Sequence, residues 1–260
     1  MTSPQRSRDG NADRPRPAGR RPSLSGVLPA YNEEGLIAST AEGVADALAA
    51  CTEDYEVIVV DDGSRDGTRA AVERLAQSRP QVRCITHPTN RGYGEALRTG
   101  LDAAAKELIF FTDGDGQFIP TEIERLLPDI VEGGADMAIG YRAPRVDPPM
   151  RLLNAWGWKL AVTVLFGYAA RDIDCAFKLM RREVWHRVHV HSGSATFSAE
   201  LLIKARRCGY RVVERPVTHR PRRAGSATGA KLHVILRAFR DLLWLRLHLD
   251  PCPKPEPASH

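Results

Sequence analysis

Short apolar runs that stop abruptly at a polar, glycine-bearing cluster recur along this chain, and a helical pattern follows each one. Tyr55 to Val60 (Tyr-Glu-Val-Ile-Val-Val) runs straight into Asp61-Asp62-Gly63-Ser64. Leu108 to Phe111 (Leu-Ile-Phe-Phe) runs into Thr112-Asp113-Gly114-Asp115-Gly116-Gln117. Runs of this length, rich in β-branched and aromatic residues and bounded by turn residues, read as buried strands. Residues 24–28, closed by Pro29, and residues 82–86 and 135–140 read the same way. Helical patterns over 36–50, 66–77, 95–106 and 120–131 separate them. Alternation at this spacing predicts an α/β architecture, a mostly parallel, doubly wound sheet flanked by helices. Ligands of such sheets bind at the carboxyl ends of the strands. Every polar cluster falls there: Tyr31-Asn32-Glu33, Asp61-Asp62, Asn90 and Asp113-Gly114-Asp115. Any one of these could be a helix N-cap, a position that Asp, Asn and Ser serve well. Four on one edge point instead to a shared site.

Two carboxylates one residue apart repel each other unless a positive group joins them. Oxygen ligands suit a hard cation such as Mg²⁺ or Mn²⁺, and Mg²⁺ completes a shell of one or two carboxylates with water and substrate phosphate oxygens. Asp113 and Asp115 therefore predict a metal–diphosphate site, the alternative being a polar turn. No G-x-G-x-x-G follows the first strand and no P-loop lysine motif occurs, which disfavours a nicotinamide enzyme. The net charge of +5 comes partly from residues 1–22, which hold six arginines against Asp9 and Asp13 and little apolar bulk. That segment is expected to be a disordered basic tail, suited to solubility or loose attraction to an anionic surface and not to nucleic acid. It lacks the apolar core of a secretory signal. The longest apolar stretch, Leu160 to Ala170, falls short of the roughly 20 residues that span a bilayer. Cys51, Cys84, Cys175, Cys208 and Cys252 are scattered without C-x-x-C spacing, so free thiols in a reducing cytoplasm are expected.

The order Leu28-Pro29-Ala30-Tyr31-Asn32-Glu33, Val60-Asp61-Asp62-Gly63-Ser64, Asn90-Arg91-Gly92-Tyr93-Gly94, Asp113-Gly114-Asp115-Gly116-Gln117, Gly140-Tyr141-Arg142 and Asp172-Ile173-Asp174-Cys175-Ala176-Phe177-Lys178-Leu179 resembles family 2 glycosyltransferases of the GT-A fold. Within that family it looks most like the polyprenyl-phosphate and dolichyl-phosphate mannose and glucose synthases. The resemblance covers residues 24 to 232. It implies a Rossmann-like GT-A domain over residues 23–230, with Mg²⁺ or Mn²⁺ as cofactor. Pro29, Ala30, Tyr31 and Glu33 would line the base and ribose pocket, and Asp61 would bind near the base or ribose. Asp113 would contact the ribose or donor sugar, and Asp115 with Gln117 would hold the metal. Arg142 and Arg151 would take the acceptor phosphate, and Asp172 would face the reaction centre. Asp113, Asp115 and Asp172 are thus the candidate catalytic residues. Gly114 and Gly116, where relatives often carry larger residues, are expected to loosen the turn while keeping both carboxylates in register.

The implied reaction is an inverting transfer of a hexose, mannose or glucose, from a nucleotide sugar (GDP-mannose or UDP-glucose) to a polyprenyl phosphate. An ionised phosphate acceptor needs no general base; it needs cations, which Arg142, Arg145, Arg151, Arg171, Lys178, Arg222 and Arg223 supply, Arg142, Arg151, Arg222 and Arg223 being the expected phosphate contacts because arginine forks suit phosphate. A hydroxyl acceptor on a glycan, lipid or small molecule would require a base, with Asp172 or Asp174 the candidate. A non-catalytic nucleotide-binding protein is the more distant alternative. Leu152, Leu153, Trp156, Leu160 and Val164 form one helical stripe over residues 149–168. Leu232, Ile235, Leu236, Phe239, Leu242 and Leu243 form another, on an amphipathic helix over residues 231–249. Basic amphipathic helices with tryptophan lie at bilayer interfaces, whereas the same stripes can simply pack on a core. The expected location is cytoplasmic, peripheral on the inner face of the cell membrane, with a membrane-protein partner compatible. Residues 250–260, rich in proline, are expected to be a disordered tail.

Overall fold

The computed structural model describes residues 21–144, 149–193, 196–221, 232–249 and 252. Strand β1 (Leu24–Ala30) is buried along its whole length, as its apolar composition requires. It runs two residues further than its proline implied: β4 pairs with β1 only as far as Val27, so near Pro29 the missing N–H breaks no ladder bond on that side. Around it stand β2 (Tyr55–Asp61), β3 (Val82–Thr86), β4 (Leu108–Phe111), β5 (Met137–Arg142), β6 (Lys178–Arg181) and β7 (Val212–Val217), in the order β3-β2-β1-β4-β6-β5-β7. The sheet is parallel except for β6, which pairs antiparallel with both β4 and β5. Sequence reasoning did not find β6 or β7. Lys-Leu-Met-Arg is too short and too charged at its ends to read as a strand, and only the gap between β4 and β5 makes it one.

The helices are α1 (Ile37–Cys51), α2 (Thr68–Ser78), α3 (Tyr93–Asp102), α4 (Leu127–Val131), α5 (Pro149–Phe166), α6 (Arg182–Arg187), α7 (Phe197–Arg207) and α8 (Leu232–Leu247). The single helix expected over 120–131 is a 3-10 turn, Pro120–Arg125, followed by α4. Pro128 accounts for the break, since its ring lacks an N–H and clashes with the preceding turn. Alternate strand residues feed two cores. Val27, Ile58, Val60, Ile109 and Phe111 meet α3, α7 and α8 on one face. Leu24, Leu28, Val57, Val59 and Phe110 meet α1, α2 and the 120–131 segment on the other.

The expectation of free thiols is corrected at one pair. Cys208, just past α7, is bonded to Cys252, beyond α8, with Cα atoms 5.3 Å apart and a sequence separation of 44. Spacing could not reveal this pair, because two residues so far apart along the chain meet only in the folded structure. Cys51, Cys84 and Cys175 are free thiols.

Candidate active site

Register aligns the site. Ala30 pairs with Asp61 and Val27 with Phe111, so β1, β2 and β4 deliver their polar clusters to one edge. At that edge Asn32 adopts a left-handed backbone, φ 54°, which asparagine tolerates better than most residues. Its Oδ1 accepts from the Arg65 N–H at 2.9 Å, and its own N–H donates to Ser64 Oγ at 2.9 Å. The Glu33 N–H donates to Thr68 Oγ1 at 2.8 Å. The Pro29–Glu33 loop and the loop after β2 are thus stitched into one wall. Tyr31 stands exposed on it, and buried Asp61 accepts from the Ser64 N–H at 3.0 Å.

Asp62 has a separate task that sequence reasoning missed. Its Oδ1 accepts from His87 Nδ1 at 2.7 Å and from the Arg91 N–H at 2.9 Å, and its Oδ2 from the Gly92 N–H at 2.8 Å. His87 Nε2 in turn shares a hydrogen bond with Thr99 Oγ1 at 2.9 Å. This buried cluster pins the glycine turn that opens α3. Tyr93, the first residue of α3, then donates its hydroxyl to Asp113 Oδ1 at 3.0 Å. The only local signal was the glycine turn itself; nothing along the chain tied His87 to Asp62.

The Asp113–Asp115 turn begins where the Thr112 N–H donates to the Val27 carbonyl at 3.1 Å. Gly114 does not loosen it. A β-carbon there would lie 2.8 Å from the Pro29 carbonyl oxygen and 2.9 Å from Ile37 Cδ1, so glycine lets the turn press against the Pro29–Glu33 loop. Gly116 takes φ 69°, which favours glycine. Burial and then the Asp115 charge push Asp113 up to about 7. Two crowded carboxylates of this kind are the donor chemistry a hard cation relieves. Among the described residues no group of three or more His, Cys, Asp or Glu side chains converges on a metal position. The set fits an ion completed by substrate oxygens and water. Gln117 is held by a reciprocal clamp: its Nε2 donates to the Arg220 carbonyl and its carbonyl accepts the Arg220 N–H, both at 2.8 Å.

On the other side of the same edge, buried Arg142 at the end of β5 grips buried Asp172. Its Nε and Nη2 donate to Asp172 Oδ2 and Oδ1 at 2.7 and 2.8 Å, and its backbone N–H donates to Oδ2 at 3.2 Å. A cleft lies beside this pair, lined by Leu152, Trp156, Lys159, Arg171 and Asp174 together with Asp172. Arg171 stacks on the Tyr141 ring, 4.9 Å from its centroid. The α5 stripe above the cleft faces solvent and not a core: Trp156 is 62% exposed and Val164 75%. Helix α8 divides its apolar residues, with Leu242 and Leu245 buried and Leu243, Trp244 and Leu247 exposed. No described helix is long and apolar enough to cross a membrane. Arg151 lies on α5, but its side chain is outside the described residues, as are Arg145, Arg222 and Arg223. Glu200 serves structure: its oxygens accept the His191 and Ser192 N–H groups at 2.9 and 2.8 Å and meet Lys204 Nζ at 2.8 Å.

Residues 25–202 match the model of the family described as Glycosyl transferase family 2. The chain is 31% identical to a polyprenol monophosphomannose synthase of Mycolicibacterium smegmatis, over 86% of this chain and 88% of that protein. It is 32% identical to a dolichyl-phosphate beta-glucosyltransferase of Mus musculus, over 86% of this chain and 75% of that one. It is also 32% identical to a dolichyl-phosphate beta-glucosyltransferase of Trichomonas vaginalis, but spans only 62% of that protein's length. In fold it is similar to glucosyl-3-phosphoglycerate synthase of Mycobacterium tuberculosis crystallised with Mn²⁺, UDP-glucose and phosphoglyceric acid, with a TM-score of 0.69, 22% identity and 86% and 79% of the two chains covered. With a GT-A-like sheet that gathers these motifs on one edge, and a family match over most of its length, the chain belongs to glycosyl transferase family 2.

Proposed function

We propose that this enzyme transfers a hexosyl group, mannose or glucose, from a nucleotide sugar to a polyprenyl phosphate at a membrane surface. One observation carries the reading: the Arg142–Asp172 pair, whose arginine lies within electrostatic reach of Asp113, borders a cleft that sets Lys159 and Arg171 beside Asp172 and Asp174 under an exposed tryptophan–leucine stripe. An anion site beside an apolar surface is what a prenyl phosphate requires. The nucleotide base and ribose lie against Pro29, Ala30, Tyr31, Glu33 and Asp61, and Asp113 faces the ribose or sugar. Asp115 and Gln117 would hold Mg²⁺ or Mn²⁺, which when bound would offset the charge of the departing diphosphate. The acceptor phosphate oxygen attacks the anomeric carbon as the bond to the diphosphate oxygen breaks on the opposite face, which inverts the configuration. Arg142 and Arg151, with the cations of the cleft and Arg222 and Arg223 of the basic loop, draw this second anion toward the first. No proton must leave the acceptor. That accords with Asp172, whose oxygens are taken up by Arg142 and which is poorly disposed to act as a base.

The exposed residues of α5 and α8 would rest in the bilayer interface. Nucleotide sugars are dissolved in the cytosol, so the enzyme would work peripherally on the inner membrane face, where a membrane protein could receive the product. The test incubates the full chain and Mn²⁺ with labelled GDP-mannose or UDP-glucose, and with undecaprenyl or decaprenyl phosphate, followed by extraction into organic solvent. Label in the organic phase with one donor is the expected result. Equal transfer to uncharged polyprenol would overturn the phosphate reading.

A further inference from the structure

Lys178 sits within the sheet on β6, opposite Phe111 of β4 and Ile139 of β5, and is fully buried. A buried ammonium is unfavourable unless its donors find acceptors. Here Nζ donates to the carbonyls of Ile173, at 3.3 Å, and Cys175, and to Ser198 Oγ at 3.4 Å, and it lies 5.4 Å from the centroid of the Phe111 ring. Two of these acceptors are backbone atoms of one turn, Asp172-Ile173-Asp174-Cys175. That turn supplies the carboxylate that grips Arg142, and three of its residues line the acceptor cleft. The third acceptor stands on α7. Phe111 is the last residue of β4 before the Asp113 turn. Lys178 is not among the residues that line the cleft, so its effect there passes through the turn.

We propose that Lys178 is a positioning residue: gripping the Ile173 and Cys175 carbonyls from beneath, it fixes the Asp172–Cys175 turn, and with it the Asp172–Arg142 pair, at the mouth of the acceptor cleft. The catalytic consequence rests on the acceptor reading given above; the structural one does not. Were Lys178 only filling space, a methionine of similar length would serve equally well.

The test compares wild type, K178M, which keeps the stem and loses every donor, and K178Q, which keeps N–H donors. Hydrogen–deuterium exchange without substrate is expected to quicken about tenfold in the 171–177 peptide of K178M, and less in K178Q. Nucleoside diphosphate affinity with Mn²⁺ should change less than acceptor kcat/KM: the base pocket lies on β1 and β2, and Lys178 acts on Asp113 through its charge alone. Acceptor kcat/KM should fall about 100-fold in K178M, the cost of a displaced reacting group, with K178Q between it and wild type. Wild-type exchange together with wild-type acceptor kcat/KM in K178M would overturn the proposal. Should K178M not fold, K178Q carries the same comparison. Faster exchange spread evenly through the chain, residues 24–30 included, would also overturn it, by showing a general core role. A wild-type enzyme that ignores polyprenyl phosphate would sink the acceptor reading, while the exchange data would still judge Lys178.

Discussion

Removing Asp172 should damage the fold and the reaction separately, and the two effects can be told apart. The side chains of Arg142 and Asp172 are each only 6% exposed, and two short hydrogen bonds join them. Deleting one partner strips the other's buried charge of this two-point pairing, which costs about 3–5 kcal/mol. For a chain of this size each kcal/mol shifts Tm by about 2–4 °C, so Asp172→Ala should melt roughly 6–20 °C below wild type. Arg142→Met takes both of those bonds from the buried carboxylate and should cost a similar amount. Replacing both by apolar residues of similar volume removes both desolvation penalties and is often near neutral. The double variant Arg142→Met, Asp172→Leu should therefore recover most of the lost stability while remaining inactive in transfer to polyprenyl phosphate. Urea denaturation gives the three free energies, and the organic-phase assay gives the activity. Single-variant losses under about 1 kcal/mol would mean that solvent screens the pair, as at exposed ion pairs, and the burial argument would be wrong. An active double variant would remove the pair from the reaction centre.

Three further outcomes follow from the geometry. Asp113, pushed up to about 7 by burial and then by Asp115, keeps a proton in the folded state that the unfolded chain releases above about pH 4. Metal-free stability should therefore fall as pH rises between those values and stay reduced above about 7. In chelator, Asp113→Asn should out-melt wild type at pH 8 but hardly at pH 4, and a pH-independent gap would contradict the assignment; Mn²⁺ should likewise stabilise wild type more at pH 8 than at pH 5. Gly114→Ala places a β-carbon 2.8 Å from the Pro29 carbonyl, and should cost about 1–3 kcal/mol by overpacking. It should also raise the donor KM, and an unchanged donor KM would show that the turn and the Pro29–Glu33 loop act independently. Reducing Cys208–Cys252, which closes 44 residues, should cost about 4 kcal/mol on chain-entropy grounds; mass spectrometry finding five free thiols in protein purified without reductant would count against the bond.

The strand–helix alternation and the placing of Asp61, Asp113 and Asp115 at strand ends were legible in the sequence because they depend on neighbours along the chain. Side-chain periodicity, turn glycines and the abrupt stop of an apolar run are local signals, and β1 to β4 fall close to where they point. Partnerships across long separations left no such signal. His87 meets Asp62 from 25 residues away, Arg142 meets Asp172 from 30, and Cys208 meets Cys252 from 44. Whether the α5 stripe was core or surface was equally open in the sequence, since one amphipathic pattern serves both uses. Packing decided that Trp156 and Val164 face outward.

The Asp113–Asp115 turn shows the division at a single site. Residue order alone put two carboxylates just past a buried strand, because a strand's end and a turn's glycines are encoded side by side. That the turn is tight against the Pro29 carbonyl, that Tyr93 donates to Asp113, and that Gln117 is clamped to Arg220 are decisions of the tertiary structure. Each needs backbone from a distant part of the chain to arrive within hydrogen-bond or van der Waals reach, and only the closed sheet and its packed helices bring it there.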